Sequence, residues 1–86
     1  MLRITLDETT SETQFILEGR LAGVWVTELR DVVMSSDTAA ESISLNLTQV
    51  QFADEQGVSL LRELIASGVT IREASPFIWE LLRQAV

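Results

Sequence analysis

The stretch ISLNLTQVQFADEQG, residues 43–57, decides the fold of this chain. Its first part, residues 43–48, places Ile43, Leu45 and Leu47 on one side and polar residues on the other, which predicts a strand with one buried face. Asp54 then precedes a run with helical spacing. Asp is among the best helix N-caps, because its carboxylate accepts a hydrogen bond from an unpaired N–H of the first turn. The stretch therefore predicts a buried strand that leads directly into a helix.

Upstream of this stretch the sequence predicts a hairpin and a helix. Residues 2–6 alternate between apolar and polar side chains, and residues 15–19 alternate again, so DETTSET at 7–13 is typical of a hairpin loop. Residues 24–34 change to helical spacing, with one apolar stripe. A polar loop, SSDTAAES at 35–42, then leads into the third strand.

Downstream, the helix that Asp54 opens is expected to end at Gly68, a good C-terminal stop. Its predicted apolar stripe consists of Val58, Leu61, Leu64 and Ile65. VTIREA at 69–74 predicts a fourth strand, and Ser75 followed by Pro76 predicts an N-cap and the first residue of a third helix. The stripe of that helix consists of Phe77, Ile78, Leu81 and Leu82.

The order β-β-α-β-α-β-α places the chain in the α/β class, as one domain over residues 1–86. Strand–helix–strand units imply right-handed crossovers between parallel neighbours, so we expect a small mixed four-stranded sheet. Strands buried on both faces are nearly all apolar, whereas three of these alternate. We therefore expect the helices to pack mainly on one face of the sheet, with the other face wet or in contact with a partner.

Composition excludes several classes of function. The chain has no Cys and no His, which removes disulfides, thiolate metal sites and the commonest general base. Its net charge is −7, so nucleic acid and anionic lipid are poor partners. The N-terminus is too acidic for a signal peptide, and no apolar run reaches the roughly 18 residues of a membrane span. We therefore expect a cytoplasmic protein without direct membrane insertion.

Three stretches resemble the STAS domain, the family of anti-sigma factor antagonists and of cytoplasmic domains of sulfate transporters. They are LEGRLAG at 17–23, ISLNLTQVQFADEQG at 43–57 and LLRELIASGVTIREAS at 60–75. Family members usually continue through another strand and helix. The resemblance therefore implies a short STAS form without the usual final strand and helix, which would leave a sheet edge open for pairing.

The resemblance also implies a role for the stretch after Phe52. In phosphorylated family members an Asp precedes a Ser that an anti-sigma kinase phosphorylates, and a small residue and a Gly follow. Asp54 and Gly57 match this motif, but Glu55 occupies the phosphoacceptor position and Gln56 replaces its neighbour. Because Glu has no hydroxyl, the phosphorylation switch cannot operate at position 55.

Two interpretations of Glu55 stay open at the level of sequence. It is either a fixed negative charge that weakly imitates phosphoserine, or only a favourable acid in the first helical turn, worth roughly 0.3–1 kcal/mol. Asp54 is fully explained as an N-cap. Gly57 costs a helix up to about 1 kcal/mol, so it indicates close approach of a backbone, from a partner or from the neighbouring strand.

Other residues carry weaker signals. Trp25 and Trp79 are expected at core or boundary positions, although Trp also anchors interfaces. Ser59 is a substitute phosphoacceptor in principle, but it is more typical of a helical residue that faces a neighbour. Asp54 and Glu55 point about 100° apart on a helix and do not form an acid–base pair. We expect no enzyme, no cofactor and no metal site.

The sequence thus predicts a protein-binding regulatory module of bacterial signalling, like an anti-sigma factor antagonist of transcription. The predicted docking residues are Phe52, Asp54, Glu55, Gln56, Gly57 and Val58. The resemblance implies an anti-sigma factor or related histidine-kinase-like ATPase as partner, and the open sheet edge adds a homodimer as a further hypothesis. The alternatives are an accessory subunit of an ABC lipid-transport complex and a small-ligand sensor.

Overall fold

The computed structural model describes residues 2–9, 11–36 and 38–84 and has the predicted order of elements. The strands are β1 (Leu2–Glu8), β2 (Thr13–Leu21), β3 (Ile43–Ala53) and β4 (Thr70–Ala74). The helices are α1 (Val24–Met34), α2 (Glu55–Ser67) and α3 (Pro76–Gln84), and a short 3-10 turn, Ala40–Ser42, precedes β3. The α/β class is confirmed.

The four strands form one mixed sheet in the order β1-β2-β3-β4. β1 and β2 are antiparallel, as a hairpin requires, while β2–β3 and β3–β4 are parallel pairs. α1 and α2 are the crossover connections that parallel neighbours need. The predicted mixed four-stranded sheet is therefore confirmed.

The core lies on one face of this sheet. α2 contacts both α1 and α3, and Ile78 of α3 belongs to the same core as the buried strand residues. The other face carries mostly polar side chains in paired positions, among them Arg3 with Glu18 and Gln14 with Ser44. Helices on one face only, as expected from the alternation, are thus what the described residues show. The buried apolar side chains of the sheet are Leu2, Phe15, Leu17, Leu21, Ile43, Leu45, Leu47, Val50 and Ala53.

β3 is longer than predicted, because it continues from residue 48 to Ala53. Its pairing with β2 shifts by one residue twice, between Ile16 and Glu18 and between Gly19 and Arg20. Each shift adds an unpaired residue to β3, as in a β-bulge. The bulges return Val50 and Ala53 to the buried face. They also interrupt the alternation of buried and exposed side chains, so a prediction from alternation alone ends the strand too early.

The hairpin loop is shorter than predicted. β1 extends to Glu8 and β2 begins at Thr13, so Asp7 and Glu8 belong to the sheet. Thr9 and Glu12 close the connection, with the Thr9 N–H donating to the Glu12 carbonyl at 2.8 Å. Polar composition suggested a loop here, but β1 is an exposed edge strand and tolerates charged residues. Thr10, and Asp37 of the predicted 35–42 loop, lie outside the described residues.

The buried stripe of α2 differs from the predicted one. α2 buries Gly57, Leu60, Leu61 and Leu64, whereas Ile65 is 43% exposed and Val58 is half-buried. Because Gly57 faces the sheet, the helix is rotated relative to the stripe that apolar residues alone suggested.

α3 also buries fewer residues than predicted. Ile78 is fully buried and Leu81 and Leu82 are partly buried, but Phe77 is 47% exposed. Trp25 packs partly buried against the core, as expected. Trp79 is 45% exposed, so the expectation of a core or boundary position is wrong for this residue.

None of the helices within the described residues has both the length and the apolar character that crossing a membrane requires.

Candidate functional site

The tip, residues 52–58, lies at the sheet edge where β2 and β3 both end. Because the two strands are parallel, the turn from β2 into α1 and the turn from β3 into α2 meet at this edge. Gly23 is in the first turn, with φ 60°, and Asp54 is in the second. The tip is therefore built from two connections that are distant in sequence.

Asp54 joins the two connections through both of its carboxylate oxygens. Oδ1 accepts a hydrogen bond from the Gly57 N–H at 2.8 Å, which is the predicted N-cap bond. Oδ2 accepts a hydrogen bond from the Gly23 N–H at 3.0 Å. The Asp54 N–H in turn donates to the Leu21 carbonyl at 3.1 Å. The N-cap prediction is confirmed, and the second bond adds a link that the sequence did not indicate.

These bonds hold the pKa of Asp54 below its ordinary value. The largest cause is the hydrogen bond from the Gly23 N–H, followed by the bond from the Gly57 N–H. Both donors stabilise the ionised carboxylate, because they are aimed at its oxygens. Asp54 is therefore an anionic structural group whose oxygens are both occupied.

Gly57 packs against the end of β2. A Cβ at this position would lie 2.5 Å from the Leu21 carbonyl oxygen and 3.0 Å from Leu21 Cγ. Real Cβ atoms do not approach a backbone oxygen so closely, so a larger residue would force helix and strand apart. The close approach predicted for Gly57 is confirmed, and the backbone that approaches is that of the neighbouring strand.

The exposed side chains of the tip are Glu55 and Gln56. Both belong to the first turn of α2, and the described residues donate no hydrogen bond to the Glu55 carboxylate. Val58 is half-buried and packs on the core, and Ser59 is exposed one turn into the helix. Position 55 is thus presented to the surroundings while Asp54 and Gly57 hold it in place.

Phe52 lies on a different surface from Glu55. It pairs with Arg20 of β2 on the sheet face opposite the helices, and the Arg20 guanidinium carbon lies 4.8 Å from the centre of its ring. A guanidinium within about 6 Å of an aromatic face is a cation–π contact. The six predicted docking residues therefore do not form one surface. Glu55 and Gln56 are exposed at the tip, and Phe52 lies on the open sheet face. Asp54, Gly57 and Val58 mainly build the tip.

Val24 is the residue beside the tip that sequence reasoning missed. It is 76% exposed and follows Gly23, whose N–H is bound to Asp54. A signal was available, because Val24 is an apolar residue at the start of α1 that falls outside the buried stripe of Val26, Leu29 and Val33. Its position beside the tip depends on the parallel pairing of β2 and β3, which local sequence does not show.

The tip carries two adjacent carboxyl groups, those of Asp54 and Glu55. Asp54 has both oxygens bound to backbone N–H groups, and Glu55 is directed to solvent, so the two carboxyls do not converge on one point. Among the described residues, acidic side chains also do not gather in threes where they could hold a metal ion.

Comparison with known proteins identifies the fold alone. No protein-family model and no curated protein matches this chain. Among the solved structures similar to this chain are one of Mglu and one of Mglu in its native form. The first is 22% identical, with a TM-score of 0.62, over 84% of this chain and 19% of that one. The second is 17% identical, with a TM-score of 0.53, over 83% of this chain and 23% of that one. This chain thus spans about a fifth of the length of either structure.

Proposed function

We propose that this chain is a STAS-like, non-catalytic protein-interaction module that docks through its tip onto an anti-sigma factor or a related histidine-kinase-like ATPase. Docking does not depend on phosphorylation at position 55. The proposal combines the motif resemblance at residues 43–57 with the geometry of the tip. The module works in the cytoplasm as a regulator of transcription.

The observation that carries the proposal is that the matching and the departing residues of the motif have different structural roles. The two residues that match the family, Asp54 and Gly57, are the ones that fix the two turns against each other. The two residues that depart from it, Glu55 and Gln56, are exposed. The supporting residues of the tip thus match the family motif, while its exposed residues differ from it. This combination supports recognition of a partner by an unmodified side chain rather than by one that is switched by phosphorylation.

Val24 extends this surface with apolar area. It is 76% exposed at the start of α1, next to the turn that Asp54 holds. The apolar side chain of Val24 beside the acidic groups of the tip would be complementary to a partner surface that has an apolar residue surrounded by basic ones. Since the chain carries a net charge of −7, association should be faster at low salt, because complementary charge mainly raises the association rate.

A kinase assay tests whether the switch is absent. The chain and its Glu55→Ser variant are incubated with ATP and an anti-sigma factor of the kinase type, and their intact masses are compared. We expect phosphate on the Ser variant and none on the natural chain. Ser59 is exposed one turn into α2 and is therefore accessible to a kinase. Phosphate on Ser59 of the natural chain would contradict the proposal, because a phosphorylation switch would then operate at another residue.

Affinity capture from the source cell tests the partner. The bait is compared with a double variant, Val24→Lys with Gln56→Arg, and with Met34→Lys, which changes another exposed apolar residue at the far end of α1. We expect an anti-sigma factor in the natural and Met34→Lys captures and its loss from the tip variant. Recovery of a transporter ATPase without any anti-sigma factor would overturn the proposal in favour of an ABC lipid-transport subunit.

A further inference from the structure

β1 has one unpaired edge. Within the described residues it pairs with β2 alone and forms one end of the sheet. The backbone N–H and C=O groups on its outer side are therefore open to pairing with another strand. β1 is seven residues long and has no register shift in its pairing with β2, so this edge is regular.

An apolar groove runs beside this edge on the helix side of the sheet. It consists of two adjoining cavities of about 350 and 330 Å³ between β1 and α1, which share Leu6, Phe15 and Val32 as walls. Ile4 and Trp25 also line the larger cavity. Leu6 is 51% exposed, although Leu2 on the same face of β1 is buried and Ile4 is partly buried. An edge strand of this kind offers both backbone hydrogen-bonding groups and apolar area to a further strand.

The sequence of β1, LRITLDE, is complementary to itself in the antiparallel direction about Thr5. With a two-fold axis at Thr5, Ile4 of one strand lies opposite Leu6 of the other, on the helix side. On the open side, Arg3 lies opposite Asp7. Directly opposite residues share a face, so the Ile4–Leu6 and Arg3–Asp7 pairs each occur twice, while at both ends of the pairing Leu2 lies opposite Glu8.

We propose that this chain forms a two-fold symmetric dimer by antiparallel pairing of β1 with β1 of a second copy, centred on Thr5. The two sheets then form one continuous eight-stranded sheet. Leu6 of each copy packs on Ile4 of the other above the joined grooves, and two Arg3–Asp7 pairs fix the register. Such a contact is isologous and closes on itself, so it gives a dimer and not a filament.

The charges on the open face distinguish this register from the neighbouring ones. A two-fold axis at Ile4 pairs Leu2 with Leu6, but it places Arg3 opposite Thr5, and Asp7 would lie opposite position 1, which is outside the described residues. An axis at Leu6 places Asp7 opposite Thr5 and Arg3 opposite Thr9, so neither charge on the open face meets its opposite. Only the axis at Thr5 matches each of the two charges on the open face with its opposite and uses all seven residues of β1.

The other end of the sheet is a poorer template. β4 has five residues, and its pairing with β3 is interrupted by a register shift. Arg72 of β4 is also bound to Glu12 of its own chain. The acids Glu8 and Glu28, which line the β1 groove, and the net charge of −7 oppose dimerisation. At physiological ionic strength the Debye length is about 8 Å, which screens the long-range repulsion but not an adjacent cross-strand pair.

Sedimentation velocity over a concentration series tests the dimer at physiological ionic strength. The natural chain should sediment with twice the mass of one chain at high concentration. Asp7→Arg should raise the dissociation constant at least about tenfold, because two attractive pairs become two repulsive ones. Asp31→Arg changes the net charge equally on the exposed side of α1 and should leave it within about twofold.

Mixing tests the register. Asp7→Arg and Arg3→Asp chains should each be monomeric alone and form a heterodimer when mixed. The first then carries two positive charges on the open face of β1 and the second two negative ones, and the pairing places them opposite each other. Thermal unfolding checks that the Arg3→Asp chain still folds, because Arg3 also lies opposite Glu18 of its own chain.

A further pair of variants covers the case in which Arg3→Asp does not fold. Leu6→Lys should then abolish the dimer while Met34→Lys keeps it, since both residues are exposed and apolar but only Leu6 lies on β1. A monomeric natural chain, a dimer unaffected by Asp7→Arg, or a mixture without heterodimer would overturn the proposal.

Discussion

The Asp54 carboxylate binds the Gly23 N–H at 3.0 Å, across 31 residues of sequence. With its other oxygen it caps α2 by accepting from the Gly57 N–H. One side chain thus fixes the starts of α1 and α2 relative to each other. The shape of the tip depends on this residue, while the side chains at positions 55 and 56 are exposed.

Replacing Asp54 should destabilise the fold to a degree that depends on the new side chain. Asp54→Ala removes the cap and the Gly23 bond, so we expect a loss of about 2 kcal/mol in the free energy of unfolding. Asp54→Asn keeps one acceptor oxygen for the cap and should lose less, because Asn is as good an N-cap as Asp. Urea unfolding measures both. Equal losses for Ala and Asn would show that the cap does not contribute.

Acid should remove the contribution of Asp54. Its pKa in the folded chain is lowered, chiefly by the Gly23 N–H and next by the Gly57 N–H, from an ordinary value of 3.8. A lowered folded-state pKa stabilises the fold above the unfolded value, and this stabilisation is lost as the pH falls through the folded value. The stability difference between the natural chain and Asp54→Asn should therefore shrink below about pH 4. A difference that stays constant down to about pH 2 would contradict this assignment.

Gly57→Ala should destabilise the fold, although Ala is the better helix former by about 1 kcal/mol. The new Cβ would meet the Leu21 carbonyl oxygen at 2.5 Å, and backbone cannot move aside as a side-chain end can. Overpacking of this kind costs typically about 1–3 kcal/mol. The exposed neighbour Gln56→Ala is the control and should be neutral or slightly stabilising. Thermal unfolding distinguishes them, and a stabilised Gly57→Ala chain would contradict the close approach.

The local parts of the fold were predictable because their signals are local. The alternation at residues 43–48, the cap at Asp54 and the left-handed Gly68, with φ 115°, each depend on a few neighbours in sequence. The two bulges of β3 depend on its register with β2, and the rotation of α2 depends on how Gly57 meets Leu21. Neither contact is visible in the spacing of apolar residues.

The candidate site was predictable in part for the same reason. The motif identified Asp54 and Gly57, and the structure explains both through contacts within the chain. The contribution of Gly23 and Val24 follows from the parallel placement of β2 beside β3. Phe52 was grouped with Glu55 by adjacency in sequence, but the strand turns its side chain to the open face with Arg20.

The two apolar residues at the start of α3 should differ strongly when truncated. Ile78 is fully buried, so Ile78→Ala should cost about 2–5 kcal/mol through lost burial and the cavity left behind. Phe77 is 47% exposed, and Phe77→Ala should cost less than about 1 kcal/mol. Urea unfolding of both variants measures the contrast. Similar losses would mean that α3 is anchored by the whole stripe that the sequence suggested.

Glu12 and Arg72 should form a pH-sensitive link across the open face. Arg72 of β4 donates to both Glu12 oxygens, with Nε 3.0 Å from Oε2, and the Ser44 hydroxyl of β3 lies 3.1 Å from Oε2. This arrangement covers Ser44, which is only 1% exposed. The pKa of Glu12 lies below its ordinary 4.5, mainly because of the Arg72 hydrogen bond and less because of Ser44. The link thus stabilises the fold above that value and is lost as the pH falls.

NMR titration of the Glu12 carboxyl carbon measures this effect directly. Arg72→Gln should raise the pKa of Glu12 towards its ordinary value, and Ser44→Ala should raise it less, because the Arg72 bond is the larger cause. Arg83→Gln is the matched control, since Arg83 pairs with Glu80 on α3 and does not contact Glu12. An unchanged Glu12 titration in Arg72→Gln would show that the two side chains do not pair in solution. A rise with Ser44→Ala equal to that with Arg72→Gln would mean that the hydroxyl, and not the guanidinium, holds the carboxylate in its ionised form.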